Sequence, residues 1–211
     1  MRIFQWSFIA LAILLGFGFY LKQEGKNESE AAVRINVARE DSTSSSVRGY
    51  WKLDDGTGTN ATDSSGNGNT LAMTGSPTWA AGNIGPYSLT FSGSGQYLSI
   101  ADPSSGVLDF ADGASFTITG WFNRSAYAAD HTIVAKKNDQ TTNQGYVVWI
   151  DNNGTSDTLR FEASDGTDTY EVDSSANAIL NAAGWHHFAI SWNDSATTNP
   201  VNLYLDGALD N

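Results

Sequence analysis

The chain has 211 residues, with 23 acidic and 11 basic side chains, and its formal net charge at pH 7 is −12. This acidity argues against a nucleic-acid partner, because binding to phosphates needs a basic surface. The chain has no cysteine, which excludes disulfides, zinc–thiolate sites and catalysis by a thiol. The acidic residues are mostly Asp, and 21 glycines accompany them. Since Asp and Gly favour turns over helix interiors, the composition favours an all-β fold.

The first unit of the chain, residues 1–21, is dominated by a hydrophobic run over 3–21 that follows Arg2. In helical form this run spans about 28 Å, close to the hydrocarbon thickness of a bilayer. We predict a hydrophobic helix that serves as a membrane signal anchor, and a cleaved signal peptide is the alternative that the run leaves open. Residues 22–48 contain no aromatic side chain and are predicted to be a flexible polar linker. The rest of the chain is then expected outside the cytoplasm, either membrane-anchored or secreted.

The third unit, residues 49–211, alternates between short apolar–polar segments and turns rich in Asp, Asn and Gly. None of it has a convincing amphipathic helical period. Many short strands without intervening helices are typical of an antiparallel sandwich or barrel. The predicted strands are 48–53, 70–73, 88–91, 97–100, 116–123, 132–136, 146–151, 158–163, 169–173, 186–193 and 201–206.

One hairpin can be predicted in detail. The Asp-Gly pair at 165–166 is a signal for a two-residue type I′ turn. That turn would place Phe161 opposite Tyr170 on an apolar face. On the other face it would place Arg160 opposite Glu171, which predicts a surface ion pair and not an acid–base couple.

Four sequence blocks, taken in order, resemble those of a known family. They are Gly-Tyr-Trp-Lys-Leu-Asp-Asp-Gly at 49–56, Thr-Asp-Ser-Ser-Gly-Asn-Gly-Asn at 62–69, Gly-Trp-His-His-Phe-Ala-Ile-Ser-Trp at 184–192 and Leu-Tyr-Leu-Asp-Gly at 203–207. The ordered set resembles the laminin G-like jelly-roll domains of the concanavalin A-like lectin/glucanase superfamily, and the resemblance covers about 49–211.

The resemblance implies a two-sheet antiparallel jelly-roll sandwich and a binding role without catalysis. In such domains another strand or two follows the Leu-Asp-Gly block, so we expect the domain to be incomplete at its C-terminus. The missing strands would leave a sheet edge open, which favours aggregation.

Catalytic residue patterns are absent from the sequence. It contains neither H-E-x-x-H nor G-x-S-x-G. His186 and His187 are adjacent in a predicted strand, so they point to opposite faces and cannot converge on one proton. Glu162 and Glu171 do not lie in the paired-carboxylate motif that glycosidases of this superfamily use. We therefore predict that the chain is not an enzyme.

A calcium site is predicted from the turn that begins at Asp63. Asp63, Ser65 and Asn67 offer oxygens at positions 1, 3 and 5, with Gly68 at position 6, which is the first half of a calcium-loop spacing. Asp55 is a candidate for an additional ligand. The alternative is a polar turn held by Asx hydrogen bonds. The resemblance favours calcium, since the family often carries a structural calcium at the edge of the sandwich.

Surfaces that bind sugars combine exposed aromatic rings with amide and carboxylate side chains. The candidates of this kind are Tyr127, His131 and Asn143 in predicted loops and Trp149 in a strand with one open face. The alternative for Trp149 is a place in the core, where most tryptophans of such domains lie.

The sequence thus predicts a membrane-tethered or secreted module that binds a glycan or an extracellular protein in adhesion or substrate capture. Two alternatives stay open. One is an accessory carbohydrate-binding fragment of a truncated polysaccharide-degrading enzyme, and the other is a structural spacer domain of a surface protein. A structural Ca²⁺ is the one cofactor predicted, and we expect no small-molecule cofactor.

Overall fold

The computed structural model of the chain describes residues 47–93, 95–110, 114–124, 130–137, 144–152, 157–175, 184–196 and 199–211, together with the backbone of 19–20 and 34–35. These residues form strands and turns and contain no helix, so the predicted all-β class is confirmed for them. A helix with the length and apolarity to cross a membrane is accordingly not found in these ranges. The predicted N-terminal helix and linker lie outside the described residues, apart from 19–20, 34–35 and 47–48.

Ten of the eleven predicted strands are present, each within one residue at either end. The exception is 48–53, where Trp51 makes only an isolated bridge to Asp63. Leu53 adopts a left-handed φ of 56°, which an extended strand cannot accommodate. The fifteen strands of the described residues are β1 Phe19–Tyr20, β2 Arg34–Ile35, β3 Asn60–Ala61, β4 Leu71–Thr74, β5 Thr78–Ala81, β6 Tyr87–Thr90, β7 Tyr97–Ser99, β8 Phe116–Asn123, β9 His131–Lys137, β10 Gly145–Asn152, β11 Asp157–Ser164, β12 Thr169–Asp173, β13 Trp185–Trp192, β14 Val201–Leu205 and β15 Ala208–Leu209.

Two four-stranded antiparallel sheets dominate the fold. Sheet I has the order β12-β11-β10-β9, and sheet II has the order β15-β14-β13-β8. A three-stranded sheet, β3-β4-β7, and the pairs β5-β6 and β1-β2 complete the described strands. All the pairings are antiparallel, as expected for a chain of short strands linked by tight turns.

The hydrophobic core lies between sheets I and II. Sheet I contributes Val148, Ile150, Leu159 and Phe161, and sheet II contributes Phe188, Ile190, Val201 and Leu203, all of them almost fully buried. Along each strand these residues occupy alternate positions, which places them on one face of a pleated sheet. Burial of each large aliphatic or aromatic side chain stabilises the fold by about 1.5–3 kcal/mol. The two packed layers agree with the predicted sandwich, while its jelly-roll connectivity stays a prediction.

The predicted register of the β11–β12 hairpin was wrong by two residues. Phe161 lies opposite Val172 and not opposite Tyr170. Arg160 likewise lies opposite Asp173 and not opposite Glu171. A slip of two residues leaves every side chain on its predicted face, because the side-chain period of a strand is two.

A side chain in the turn explains this shift. The Asp165 carboxylate accepts hydrogen bonds from the backbone N–H groups of Thr167, at 2.7 Å, and Asp168, at 2.8 Å. These bonds hold a four-residue loop, 165–168, in place of the two-residue turn. The Asp-Gly signal correctly located the reversal, but the side chain of its first residue stabilises a longer connection.

Candidate functional site

The predicted calcium turn is built around the carboxylate of Asp63. Its Oδ1 accepts hydrogen bonds from the backbone N–H groups of Tyr50, at 3.0 Å, and Ser65, at 2.8 Å. Its Oδ2 accepts from the Ser65 hydroxyl, at 2.8 Å, and from the backbone N–H of Asn69, at 2.9 Å. Burial raises the pKa of Asp63, but these hydrogen bonds outweigh it and hold the pKa below its ordinary value.

The structure brings together only part of the predicted calcium set. Asn67 lies beside Ser65, and its amide donates to the carbonyls of Val47, at 2.9 Å, and Arg48, at 3.1 Å. Asp55 instead binds the hydroxyl of Thr62. Within the described ranges, no group of three or more His, Cys, Asp or Glu side chains is arranged to hold a metal. The contacts at Asp63 are those of the polar-turn alternative, and calcium stays a prediction.

Trp149 lies on the outer face of sheet I, because its neighbours Val148 and Ile150 point into the core. One face of its ring is covered, since the guanidinium of Arg160 lies 5.5 Å from the ring centroid. Arg160 is held there by two hydrogen bonds to Asp173, of 2.5 and 2.7 Å.

Charged side chains fill the rest of this outer face. Arg160 also contacts Asp151 at 3.4 Å and Glu171 at 3.6 Å. Lys137 pairs with Glu162 at 2.5 Å. Both cations are therefore paired with carboxylates of other strands across sheet I, and the carboxylates outnumber them.

The other predicted ligand residues do not join Trp149. His131 lies opposite Ile150, on the inner face of sheet I, and its buried Nδ1 has no hydrogen-bond partner among the described residues. Tyr127 and Asn143 lie outside the described residues. The described part of the predicted set therefore forms no common site.

The outer face of sheet II contains an aromatic site that was not predicted from the sequence. Trp121 on β8 is 45% exposed and packs against the ring of His187 on β13, with 5.1 Å between the centroids. Thr119, two residues earlier in β8, lies within 2.8 Å of Nε2 of His187. Asn123 and Trp185 pair directly beside them. We call Thr119, Trp121, Asn123, Trp185 and His187 the Trp121 patch.

The hydrogen bonds of Thr119 define the tautomer of His187. The Thr119 hydroxyl donates its one proton to the carbonyl of Phe188, at 2.8 Å. It must therefore accept from Nε2 of His187, which places the ring proton on Nε2 and leaves Nδ1 as an acceptor. Burial lowers the pKa of His187, against the opposing charge of Asp206, so the ring is neutral at pH 7.

Asp206 joins two of the family-like sequence blocks. Asp206 and Gly207 both have positive φ, 48° and 82°, as in a type I′ turn between β14 and β15. The Asp206 carboxylate lies 2.9 Å from Nδ1 of His186 and accepts the backbone N–H of His187 at 2.8 Å. The prediction that the two histidines point to opposite faces is confirmed, since His186 pairs beside Phe122 on the inner face.

One regularity in the sequence could have indicated the Trp121 patch. The four strands of sheet II contain no Asp, Glu, Lys or Arg. Their outward positions are occupied by Thr, Ser, Asn, His, Trp and Tyr, together with Ala189 and Leu209. Such an uncharged aromatic face is unusual in an acidic domain, but alternation alone does not show which side of a strand is outward.

Comparison with known families agrees with this architecture. A family model of laminin G type, described as the concanavalin A-like lectin/glucanases superfamily, matches residues 92–211, more than half of the chain. The match includes sheets I and II and the Trp121 patch, and it begins after the sequence blocks at 49–56 and 62–69. Neither the curated proteins nor the solved structures contain a match to the chain. Domains of this type are generally binding modules without catalytic activity. The chain therefore belongs to the laminin G-like family of the concanavalin A-like lectin/glucanases superfamily.

Proposed function

We propose that this protein is a non-catalytic binding module that acts outside the cytoplasm and recognises a glycan or an extracellular protein. Its role would be adhesion or substrate capture. The observation that carries this proposal is the exposed Trp121 on an uncharged sheet face. Aromatic side chains of this kind supply much of the contact energy in binding sites.

The contrast between the two outer faces supports sheet II as the binding face. On sheet I, Arg160 and Lys137 are already paired with carboxylates, and a ligand would have to displace these pairs. On the strands of sheet II a ligand would meet hydroxyl, amide and aromatic groups. Covering these groups costs less free energy than desolvating ionised ones.

The location outside the cytoplasm rests on the hydrophobic run at 3–21. If it is a signal anchor, the binding module is attached to the membrane, and if it is cleaved, the module is secreted. Mass spectrometry of the mature N-terminus distinguishes the two. Protease treatment of intact cells should digest residues 49–211, and protection of this part of the chain would contradict the proposed location.

The binding role is tested with the full chain on a broad glycan array and on a panel of immobilised extracellular proteins. We expect saturable binding to at least one of them and no release of reducing ends from any bound glycan. Hydrolysis of a glycan would contradict the non-catalytic role. A folded chain that binds nothing on either panel would favour the spacer alternative.

A further inference from the structure

We infer that the ligand of the Trp121 patch is an uncharged glycan, with one sugar ring stacked on Trp121 and its hydroxyls bonded to His187 and Asn123. This inference rests on the proposed function and specifies the ligand class. It depends on the absence of charged residues from the strands of sheet II, on the greater exposure of Trp121 compared with Trp149, and on the hydrogen bonds of His187.

The charge of the site argues against an anionic ligand. The strands of sheet II contain no basic residue. Arg124, which directly follows β8, is buried and pairs with the fully buried Asp157. Residues 49–211 contain 5 basic and 18 acidic side chains, so their net charge is 5 − 18 = −13. A sulfated or carboxylated polymer would be repelled by this surface and would find no cation on the strands of sheet II.

The ring of Trp121 provides the stacking surface. Nearly half of its area is exposed. The ring packs against the ring of His187, which is held in place by its hydrogen bond to Thr119. A ring that is held in place loses little conformational freedom when a ligand covers it. Trp149 offers less surface, because it is less exposed than Trp121 and Arg160 lies over one face of its ring.

Hydrogen-bonding groups next to the ring suit sugar hydroxyls. Nδ1 of His187 is an acceptor, because the proton of the ring is on Nε2. Asn123 is exposed and carries both a donor and an acceptor group. A sugar hydroxyl is both donor and acceptor, so it can pair with either of these side chains.

The distribution of apolar groups argues against a protein partner or a second copy of the chain. On this face the exposed large apolar side chains are Trp121 on β8 and Leu209 on β15. These strands form the two opposite edges of sheet II. A stable protein interface buries about 800 Å² on each partner around an apolar centre. The centre of this face is formed by β13 and β14, and none of their outward residues is an exposed large apolar side chain (Trp185, His187, Ala189, Ser191, Asn202 and Tyr204).

The test is affinity electrophoresis of the full chain in gels containing neutral polysaccharides (β-glucan, xylan, mannan) or anionic ones (heparin, alginate, polygalacturonate). We expect saturable retardation by a neutral polymer and none by the anionic set. Trp121→Ala should weaken that binding about tenfold, which is about 1.4 kcal/mol, because it removes the ring on which the sugar stacks. Trp121→Phe should retain part of the affinity.

Trp149→Ala is the matched control, because it removes the same side chain from the outer face of the other sheet. We expect its affinity to equal that of the wild type. If Trp121→Ala fails to fold, Asn123→Ala, at an exposed position, gives a second test and should weaken binding about threefold.

Three results would overturn the inference without affecting the proposed function. The first is binding restricted to anionic polymers, and the second is Trp121-dependent binding to a protein or to a second copy of the chain. The third is an equal loss with Trp149→Ala, which would remove the assignment to sheet II. No saturable binding of any glycan or protein by the folded chain would contradict both the inference and the proposed function.

Discussion

Asp63 shows how one carboxylate can organise a segment of the chain. Three of its four hydrogen bonds, from Ser65 and Asn69, hold the turn at 63–69, and the fourth ties this turn to the backbone N–H of Tyr50. The amide of Asn69 strengthens this connection by donating to the carbonyl of Arg48 at 3.0 Å. In this arrangement the carboxylate oxygens already receive N–H and O–H donors.

Asp63→Ala is therefore expected to lower the free energy of unfolding by about 2 kcal/mol, because it leaves several backbone donors without an acceptor. Urea denaturation of the full chain in calcium and in chelator measures this loss, and an equal loss in both would favour the polar turn. A loss confined to calcium would instead support the calcium site predicted from the sequence. Asp55→Ala serves as the control, since Thr62 is the one partner of Asp55 among the described residues and its loss should cost less.

His187 gives stability a dependence on pH. Its pKa is lowered by burial, so the unfolded chain, with a pKa of about 6.5, binds the proton more tightly than the folded chain. The contribution of neutral His187 to the free energy of unfolding is fully present above about pH 6.5. It is lost as the pH falls towards the pKa of His187 in the folded chain. His187→Gln should remove this component. Melting temperatures of both proteins between about pH 5 and 7.5 test it, and identical pH profiles would contradict it.

At the scale of elements, the register of the β11–β12 hairpin is determined by both its turn and its cross-strand pairs. The four-residue loop at 165–168 aligns Arg160 with Asp173, and the two side chains form a two-point contact. Glu171 is displaced along the strand and reaches Arg160 only at 3.6 Å. The geometry therefore predicts unequal coupling energies for the two acidic partners.

Double-mutant cycles measure this difference. Arg160→Ala combined with Asp173→Ala should give a coupling energy of about 0.5–1 kcal/mol. The cycle of Arg160→Ala with Glu171→Ala should give about 0.2 kcal/mol or less, because this pair is longer and exposed to solvent. A larger coupling with Glu171 would indicate the two-residue turn and its register.

At the scale of the molecule, the hydrophobic core and the proposed binding surface lie on opposite faces of sheet II. Its inner face carries Phe188, Ile190 and Leu203, which are packed against sheet I. Its outer face carries the partly exposed Trp121. Changes at the outer face should therefore alter binding while the core is retained.

Phe161 and Trp121 test this separation. Phe161 is fully buried between the sheets, and Phe161→Ala should destabilise the protein by about 3–5 kcal/mol. Trp121→Ala, at an exposed position, should change stability by about 0.5 kcal/mol or less. Chemical denaturation of the three proteins provides the comparison. Equal destabilisation by both variants would show that Trp121 belongs to the core.

Sequence alternation by itself determined most of the strands and which side chains share a face of each strand. Phe188 and Ile190 were placed on one face and His187 on the other because successive side chains of a strand alternate. This information is local, so it was available without the fold. The ordered sequence blocks indicated the family, and the family model that matches residues 92–211 agrees with this assignment.

Only the tertiary structure decided which groups meet. The oxygens of Asp63 are occupied by the N–H of Tyr50, thirteen residues away in sequence, as well as by local donors. Trp149 is covered by Arg160 from the adjacent strand, whereas Trp121 is left open on the second sheet. The alternation of apolar and polar residues indicates that each strand has two faces, but the packing of sheet I against sheet II determines which face is buried. The hydrogen bonds and ion pairs on each face depend in turn on strand register, which the side chain of Asp165 shifted by two residues.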